Sequence, residues 1–262
     1  MATRVGVFGV GGRMGIAVAH AVCAEPDLDF VAAIDPSYEG IDVGEVTGVA
    51  GCQFPVSSNA DTITPGSVDV MVDFTHVEAA RANLEFCAKN GIHAVIGTSG
   101  FTEADHVEIA SLFTDSNCLI APNFAIGAVL MMRFAEMAAP YFDTGEIIEL
   151  HHDSKVDAPS GTAVATAERM ASASEAWVAD PTEAYTIEGA RGAKGPAGIP
   201  IHSVRMRGMT AHQEVVLGTM GQTLSIRHDS LDRSSFMPGV VMAVRNIADH
   251  PGLTVGLDKF LT

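Results

Sequence analysis

Thr3-Arg4-Val5-Gly6-Val7-Phe8-Gly9-Val10-Gly11-Gly12-Arg13-Met14-Gly15 is the stretch from which the fold of this chain can be read. Its first six residues form an apolar run that predicts a buried strand, and glycines follow at Gly9, Gly12 and Gly15. Apolar residues recur at Ile16, Val18, Ala19 and Val22, which predicts a helix ending near Glu25-Pro26. Phe30-Val31-Ala32-Ala33-Ile34 then reads as a second strand that finishes in Asp35. A strand, a glycine turn, a helix and a strand closing on an acid 20 residues after Gly15 make up the dinucleotide-binding βαβ unit. Glycines let the backbone approach a pyrophosphate, the helix N-terminus meets its charge, and Asp35 is placed for a ribose hydroxyl. The spacing is G-x-x-G-x-x-G rather than G-x-G-x-x-G, so the surrounding elements carry the reading more than the glycines do. Asp35 is followed by Pro36 and Ser37, with no arginine to meet a 2′-phosphate. A carboxylate there repels a phosphate, so NADH is expected to serve at least as well as NADPH.

The alternation continues downstream. Val68–Val72 reads as a strand ending in Asp73-Phe74-Thr75-His76, followed by a helix through Ala79, Leu84, Phe86 and Cys87. Ile92–Ile96 is the next strand, ending in Gly97-Thr98-Ser99-Gly100, with a helix from Glu103 to Phe113. Cys118–Ala121 is a further strand, ending in Pro122-Asn123-Phe124. Strands separated by helices predict an α/β fold with a Rossmann-like, doubly wound parallel sheet. Ligands of such sheets sit at the carboxyl ends of the strands. Asp73–His76 and Gly97–Gly100 are therefore candidates for the nicotinamide end of a cofactor.

Ala125–Ala139 reads as a long apolar helix whose methionines belong to the core. After it the pattern changes. Glu146–His151 predicts a strand running into His152-Asp153-Ser154-Lys155-Val156-Asp157-Ala158-Pro159-Ser160-Gly161-Thr162. Pro159 cannot sit inside a helix and Ser160 is a good N-cap, so a helix is expected from Thr162 to near Ser174. Two histidines, a lysine and a Ser-Gly-Thr helix start thus lie close together. The helix end suits a carboxylate, while His151, His152 and Lys155 can donate protons or hold a second anion. Alternate strand residues face the same way, so a strand that runs to His151 puts Glu149 on the same face as it. A Gly/Pro-rich segment (188–198) precedes three strands with no helix between them, Ile201–Met206, His212–Gly218 and Thr223–His228. They predict a smaller α+β domain with a mixed or antiparallel sheet. A helix opened by Ser234-Ser235-Phe236 and an apolar run at Leu253–Leu257 return the chain to the first domain. His93, His202, His212 and His228 lie in or beside strands and read as structural.

Composition narrows the function classes. At 262 residues and 47% hydrophobic content, the chain can bury a full core. No apolar run reaches the length of a membrane span, so no membrane partner is expected. The chain passes from Met1 straight into a strand, so a leader peptide is not expected. Cys23, Cys52, Cys87 and Cys118 are widely spaced, which fits a reducing cytoplasm and no bound metal. A net charge of −17 argues against nucleic acid. It also makes Lys155, one of four lysines, more notable beside two histidines, because an acidic protein must gather cations locally to hold an anion.

Several runs together resemble the 4-hydroxy-tetrahydrodipicolinate reductase (dihydrodipicolinate reductase) family. They are Gly9–Gly15, Asp73–His76, Gly97–Gly100, Ala121–Phe124, Glu149–Thr162 and Arg233-Ser234-Ser235-Phe236, and they span nearly the whole chain. The resemblance implies NAD(P)H-dependent reduction of a cyclic dicarboxylate substrate, hinges near Asn123 and Leu231-Asp232, and a homotetramer built through the substrate-domain sheets. With those hinges it implies a division into 1–122 with 232–262 for dinucleotide binding, and 123–231 for substrate binding and oligomerisation. It implies His151 as general acid, with Lys155 as the other proton-donor candidate and a holder of a substrate carboxylate. It assigns His152, Ser160, Gly161 and Thr162 to substrate. It assigns Gly9, Gly12, Arg13, Met14, Gly15, Asp35, Phe74, Thr75, Gly97, Thr98, Ser99, Ala121, Pro122, Asn123, Phe124 and Arg233 to the cofactor side. One position departs: Ser154 stands where the family commonly has a third histidine, and serine cannot act as an acid near neutral pH. Another two-domain dehydrogenase, or a non-enzymatic NAD(P)-binding sensor, would keep the fold without the His151–Thr162 constellation.

Overall fold

The structure is a computed structural model that describes residues 2–261. In chain order the first elements are β1 (Thr3–Phe8), α1 (Arg13–Ala24), β2 (Leu28–Ile34) and α2 (Val43–Thr47). They are followed by β3 (Val70–Asp73), α3 (Val77–Lys89), β4 (His93–Ile96), α4 (Glu103–Leu112) and β5 (Cys118–Ile120). The middle of the chain forms α5 (Ile126–Ala138), β6 (Thr144–His151), α6 (Gly161–Ala173), β7 (Ala193–Lys194), β8 (Pro200–Arg205), β9 (Ala211–Thr219) and β10 (Gln222–Ser230). The last elements are α7 (Met237–Asn246) and β11 (Leu253–Val255). The chain divides into two compact units: one holds residues up to Phe124 and from Phe236 onward, the other Ala125–Ser235.

The first unit is a six-stranded sheet in the order β11-β5-β4-β3-β1-β2, with every neighbouring pair parallel. Its central strands read as unbroken apolar runs because helices cover both faces of such a sheet. Val5, Val7, Val70, Val72, Val95 and Leu119 are all buried. The order reverses beside β1, so the ends of β1 and β3 form the crevice where ligands bind in doubly wound folds. Helix starts follow local chemistry. Thr102 and Asp105 form a reciprocal capping box at α4, and Pro238 lies in the first turn of α7, where its missing N–H is no loss.

The second unit is a five-stranded sheet in the order β10-β9-β6-β8-β7. The mixed alternative is the one realised: β6 pairs antiparallel with β9 but parallel with β8. The parallel pairing follows from α6, which provides the crossover a parallel neighbour needs. The short α2 and β7 have too few residues for a periodic signal, and the apolar pattern did not show them.

Candidate active site

In the first unit the glycine turn is shaped by contacts no side chain would permit. Gly9 has φ of +65°, a conformation that favours glycine. A Cβ on Gly15 would lie 2.1 Å from the carbonyl oxygen of Gly9, so glycine lets α1 start directly against the turn. Gly12 is the N-cap, with no side-chain cap, and Arg13 and Met14 begin the helix. Their end of the helix presents N–H groups to an anion.

Asp35 follows β2 and is buried, yet both its oxygens are bonded: Oδ2 accepts from Gly11 N–H and Oδ1 from Ser37 N–H, each at 3.0 Å. The carboxylate is thereby locked at the edge of the turn. An uncapped helix start beside a fixed acid fits a dinucleotide's pyrophosphate and ribose.

The remaining strand ends are tied together by Asp73, a fully buried carboxylate that the sequence reading did not single out. It accepts from the N–H and hydroxyl of Thr75, each at 2.7 Å, and from Asn83 at 2.7 Å. Thr98 donates to the Thr75 carbonyl at 3.1 Å, joining the β3 and β4 ends. The Phe74 ring packs over Gly97, and its centroid lies 5.5 Å from that of Phe124. Phe124 and Ala121 are buried, whereas Ser99 and Pro122 are exposed and Asn123 is half-buried. Arg233 is exposed in the turn Arg233–Phe236, within the last residues of the second unit.

In the second unit, β6 delivers Glu149 and His151 to the same side of the strand. Glu149 is completely buried and accepts from several groups. His151 Nδ1 lies 2.5 Å from Oε2, Arg205 forms a two-pronged pair at 2.8 Å on each oxygen, and Ser160 N–H approaches Oε1 at 3.2 Å. Burial alone would raise the Glu149 pKa, but its bonds from Arg205, Ser203 and His151 outweigh that and leave it below the ordinary value. A charged carboxylate only accepts, so His151 Nδ1 carries the proton and Nε2 faces away from Glu149. Burial lowers the His151 pKa and Glu149 only partly restores it.

The other expected residues surround this pair. Ser160 caps α6 by accepting from Ala163 N–H at 3.2 Å. Gly161 opens the helix in open space, followed by half-buried Thr162. Lys155 donates to both oxygens of Asp157 at 2.8 Å. His152 bonds the Ser154 hydroxyl at 2.7 Å, so serine makes a neutral polar contact where a histidine was expected. Three of the four histidines read as structural have bonded ring nitrogens: His93 with Asn117 N–H, His202 with Glu146 and His212 with Asp229. His228 packs beside Gly127 of α5. Two cavities of about 420 and 510 Å³ lie around Trp177, Asp180 and Arg191 and are not lined by His151, Lys155 or Ser160.

A parallel-sheet unit with a glycine turn, and a mixed-sheet unit with a carboxylate–imidazole pair beside a helix start, fit an NAD(P)H-dependent oxidoreductase. Comparison with known proteins narrows the class. The chain belongs to the dihydrodipicolinate reductase family: the model of that family's N-terminus matches residues 3–124, and that of its C-terminus matches residues 127–261. A 4-hydroxy-tetrahydrodipicolinate reductase of Corynebacterium urealyticum is 49% identical over 264 residues, with 98% of each chain covered. One from Mycobacterium sp. (strain KMS) is 48% identical over 262 residues, again with 98% of each covered. The solved structure of a dipicolinate-bound dihydrodipicolinate reductase from Paenisporosarcina sp. TG-14 superposes with a TM-score of 0.87 at 40% identity, covering 99% of both chains.

Proposed function

We propose that this chain reduces 4-hydroxy-tetrahydrodipicolinate to tetrahydrodipicolinate with loss of water, in lysine and diaminopimelate biosynthesis. The observation that carries this reading is the His151–Glu149 pair beside the Ser160-capped start of α6, in a chain of this family. The dipicolinate held by the Paenisporosarcina protein is likewise a ring with two carboxylates.

Gly9, Gly12, Arg13, Met14 and Gly15 would hold the pyrophosphate of NADH or NADPH, and Asp35 a ribose. Phe74, Thr75, Gly97–Ser99 and Ala121–Phe124 would line the nicotinamide side, and Arg233 is a separate candidate for a cofactor contact. Once bound, the cofactor supplies hydride to the substrate ring. What this chain's residues contribute is anion binding and a proton. One carboxylate meets the backbone N–H groups at Gly161 and Thr162, where the helix dipole favours negative charge. The other is taken by Lys155, which exchanges Asp157 for substrate, or by His152. His151 then protonates the ring carbon next to the reduced position. Its lowered pKa makes the imidazolium a strong donor, and two substrate carboxylates nearby favour its charged form.

The same reading makes the protein a cytoplasmic homotetramer with no nucleic-acid or membrane partner. It is supported by Ile148, Leu150, Val204 and Val216, which lie on the sheet face opposite Glu149 and Gln213 and are only half-buried. Among the described residues no helix is long and apolar enough to cross a membrane.

The test is cofactor absorbance at 340 nm, with substrate generated from pyruvate and aspartate semialdehyde by the preceding synthase. Oxidation that depends on the synthase product is expected, with kcat/KM for NADH equal to or above that for NADPH because Asp35 is locked in place. No oxidation with either cofactor, from protein that still binds them, would overturn the reading. A strong NADPH preference would overturn the Asp35 argument alone.

A further inference from the structure

One side chain joins the three parts of the second-unit site. The two terminal nitrogens of Arg205 make four hydrogen bonds. Each meets one Glu149 oxygen at 2.8 Å, Nη1 also reaches the Val204 carbonyl at 2.8 Å, and Nη2 reaches the Asp157 carbonyl at 2.7 Å. The Glu149 carboxylate in turn holds His151 Nδ1 and the Ser160 N–H. Arg205 thus sets three things through one plane: the orientation of the proton donor, the loop that presents Lys155, and the residue that caps the anion-binding helix. The register makes this possible, because β8 pairs in parallel with β6 and places Arg205 directly across from His151.

From this geometry we infer that Arg205 is a positioning residue of the reduction: it keeps Glu149 charged and aimed, and so keeps the His151 proton donor in place. The inference rests on the function proposed above. Its charge logic is simple. With Arg205 present, the cluster of arginine cation, Glu149 anion and neutral His151 sums to zero. A carboxylate buried as fully as Glu149 is not stable unpaired. Without Arg205, the pair Glu149–His151 carries an uncompensated negative charge and takes up a proton at higher pH, whichever of the two holds it. Lys155 and Asp157 are the other charged groups around His151 and Arg205, and they remain paired with each other. A planar fork is needed for the geometry, so lysine replaces the charge but not the two-pronged bond.

Three proteins separate these effects: wild type, Arg205→Met and Arg205→Lys. Their folded content is checked by circular dichroism, the His151 ring is titrated by NMR (assigned with His151→Gln), and kcat and KM are measured against pH. Arg205→Met is expected to lower kcat by about 10²-fold, the scale of a mispositioned general acid. It should also move the apparent pKa of the His151–Glu149 pair upward. Arg205→Lys should return that pKa toward the wild-type value and recover kcat only in part. A folded Arg205→Met protein with an unmoved His151 titration, or with wild-type kcat, would overturn the inference. The NMR arm needs no turnover, so it stands even if wild type fails to reduce the synthase product.

Discussion

The glycine turn of the first unit and the His151 site of the second would take anions by opposite means. The turn is built from absence: Gly15 leaves room for the Gly9 carbonyl, and Gly12 caps α1 with no side chain. The second site is built from presence, with a buried carboxylate holding an imidazole, a guanidinium and a helix cap. A backbone site is insensitive to most side-chain changes but intolerant of an added Cβ. A side-chain site tolerates bulk at its open edge but depends on charge balance in its interior. The two should therefore fail differently.

The largest effect is expected at His151. His151→Ala should lower kcat by about 10²–10⁴-fold if the imidazolium donates the proton, with KM changed little. The pH profile gives the sign: burial lowers the His151 pKa, and its protonated form is the donor. In wild type kcat/KM should then fall as pH rises through a value below the ordinary histidine range. A profile flat across that range would move the proton to Lys155, for which Lys155→Met should then show the kcat loss.

Next in size is Gly15→Ala, which breaks the backbone side of the comparison. Its Cβ would meet a carbonyl oxygen at 2.1 Å, so the turn must open. Overpacking of this kind costs about 1–3 kcal/mol and should weaken NADH binding, read by thermal unfolding and cofactor titration. An unchanged Kd would detach the turn from cofactor binding. Gly161→Ala is the matched control in the second unit. Beyond its chain neighbours and its own helix backbone, no heavy atom lies within 4 Å of the new Cβ, so its melting temperature should hold.

The smallest effect is expected at Ser160. Losing its cap to Ala163 N–H in Ser160→Ala should cost about 1 kcal/mol of stability, leaving the Glu149 bond to the residue 160 backbone in place. A loss of kcat as deep as that of His151→Ala would mean the hydroxyl takes part in the chemistry.

Periodicity and punctuation made most of the fold legible. Apolar runs closed by Asp35, Asp73 and Gly97 marked parallel strands and the ends where ligands gather. The expected strand Val68–Val72 is realised as Val70–Asp73, because its pairing with β1 and β4 covers only those residues. For the candidate site, the residues within His151–Thr162 could be marked because they are contiguous, although the Lys155–Asp157 pair could not. Arg205 was not marked, since it lies 56 residues from Glu149 and had no local motif to mark it. Asp73 was quoted as part of a strand end, yet its bond to Asn83 and its role in shaping two turns do not follow from position.

Taken by itself, the sequence determined the order of the elements, the glycine turn between β1 and α1, and the clustering of two histidines and a lysine with a helix start. Those features are local, set by backbone conformation, side-chain volume and neighbours a few residues away. Only the tertiary structure decided that Glu149 is a buried anion held by Arg205, that β6 and β8 run parallel, and that Asp35 is locked by Gly11. Each of these depends on strands meeting in register, and the cost of burying a charge is settled only by the partners that arrive with them.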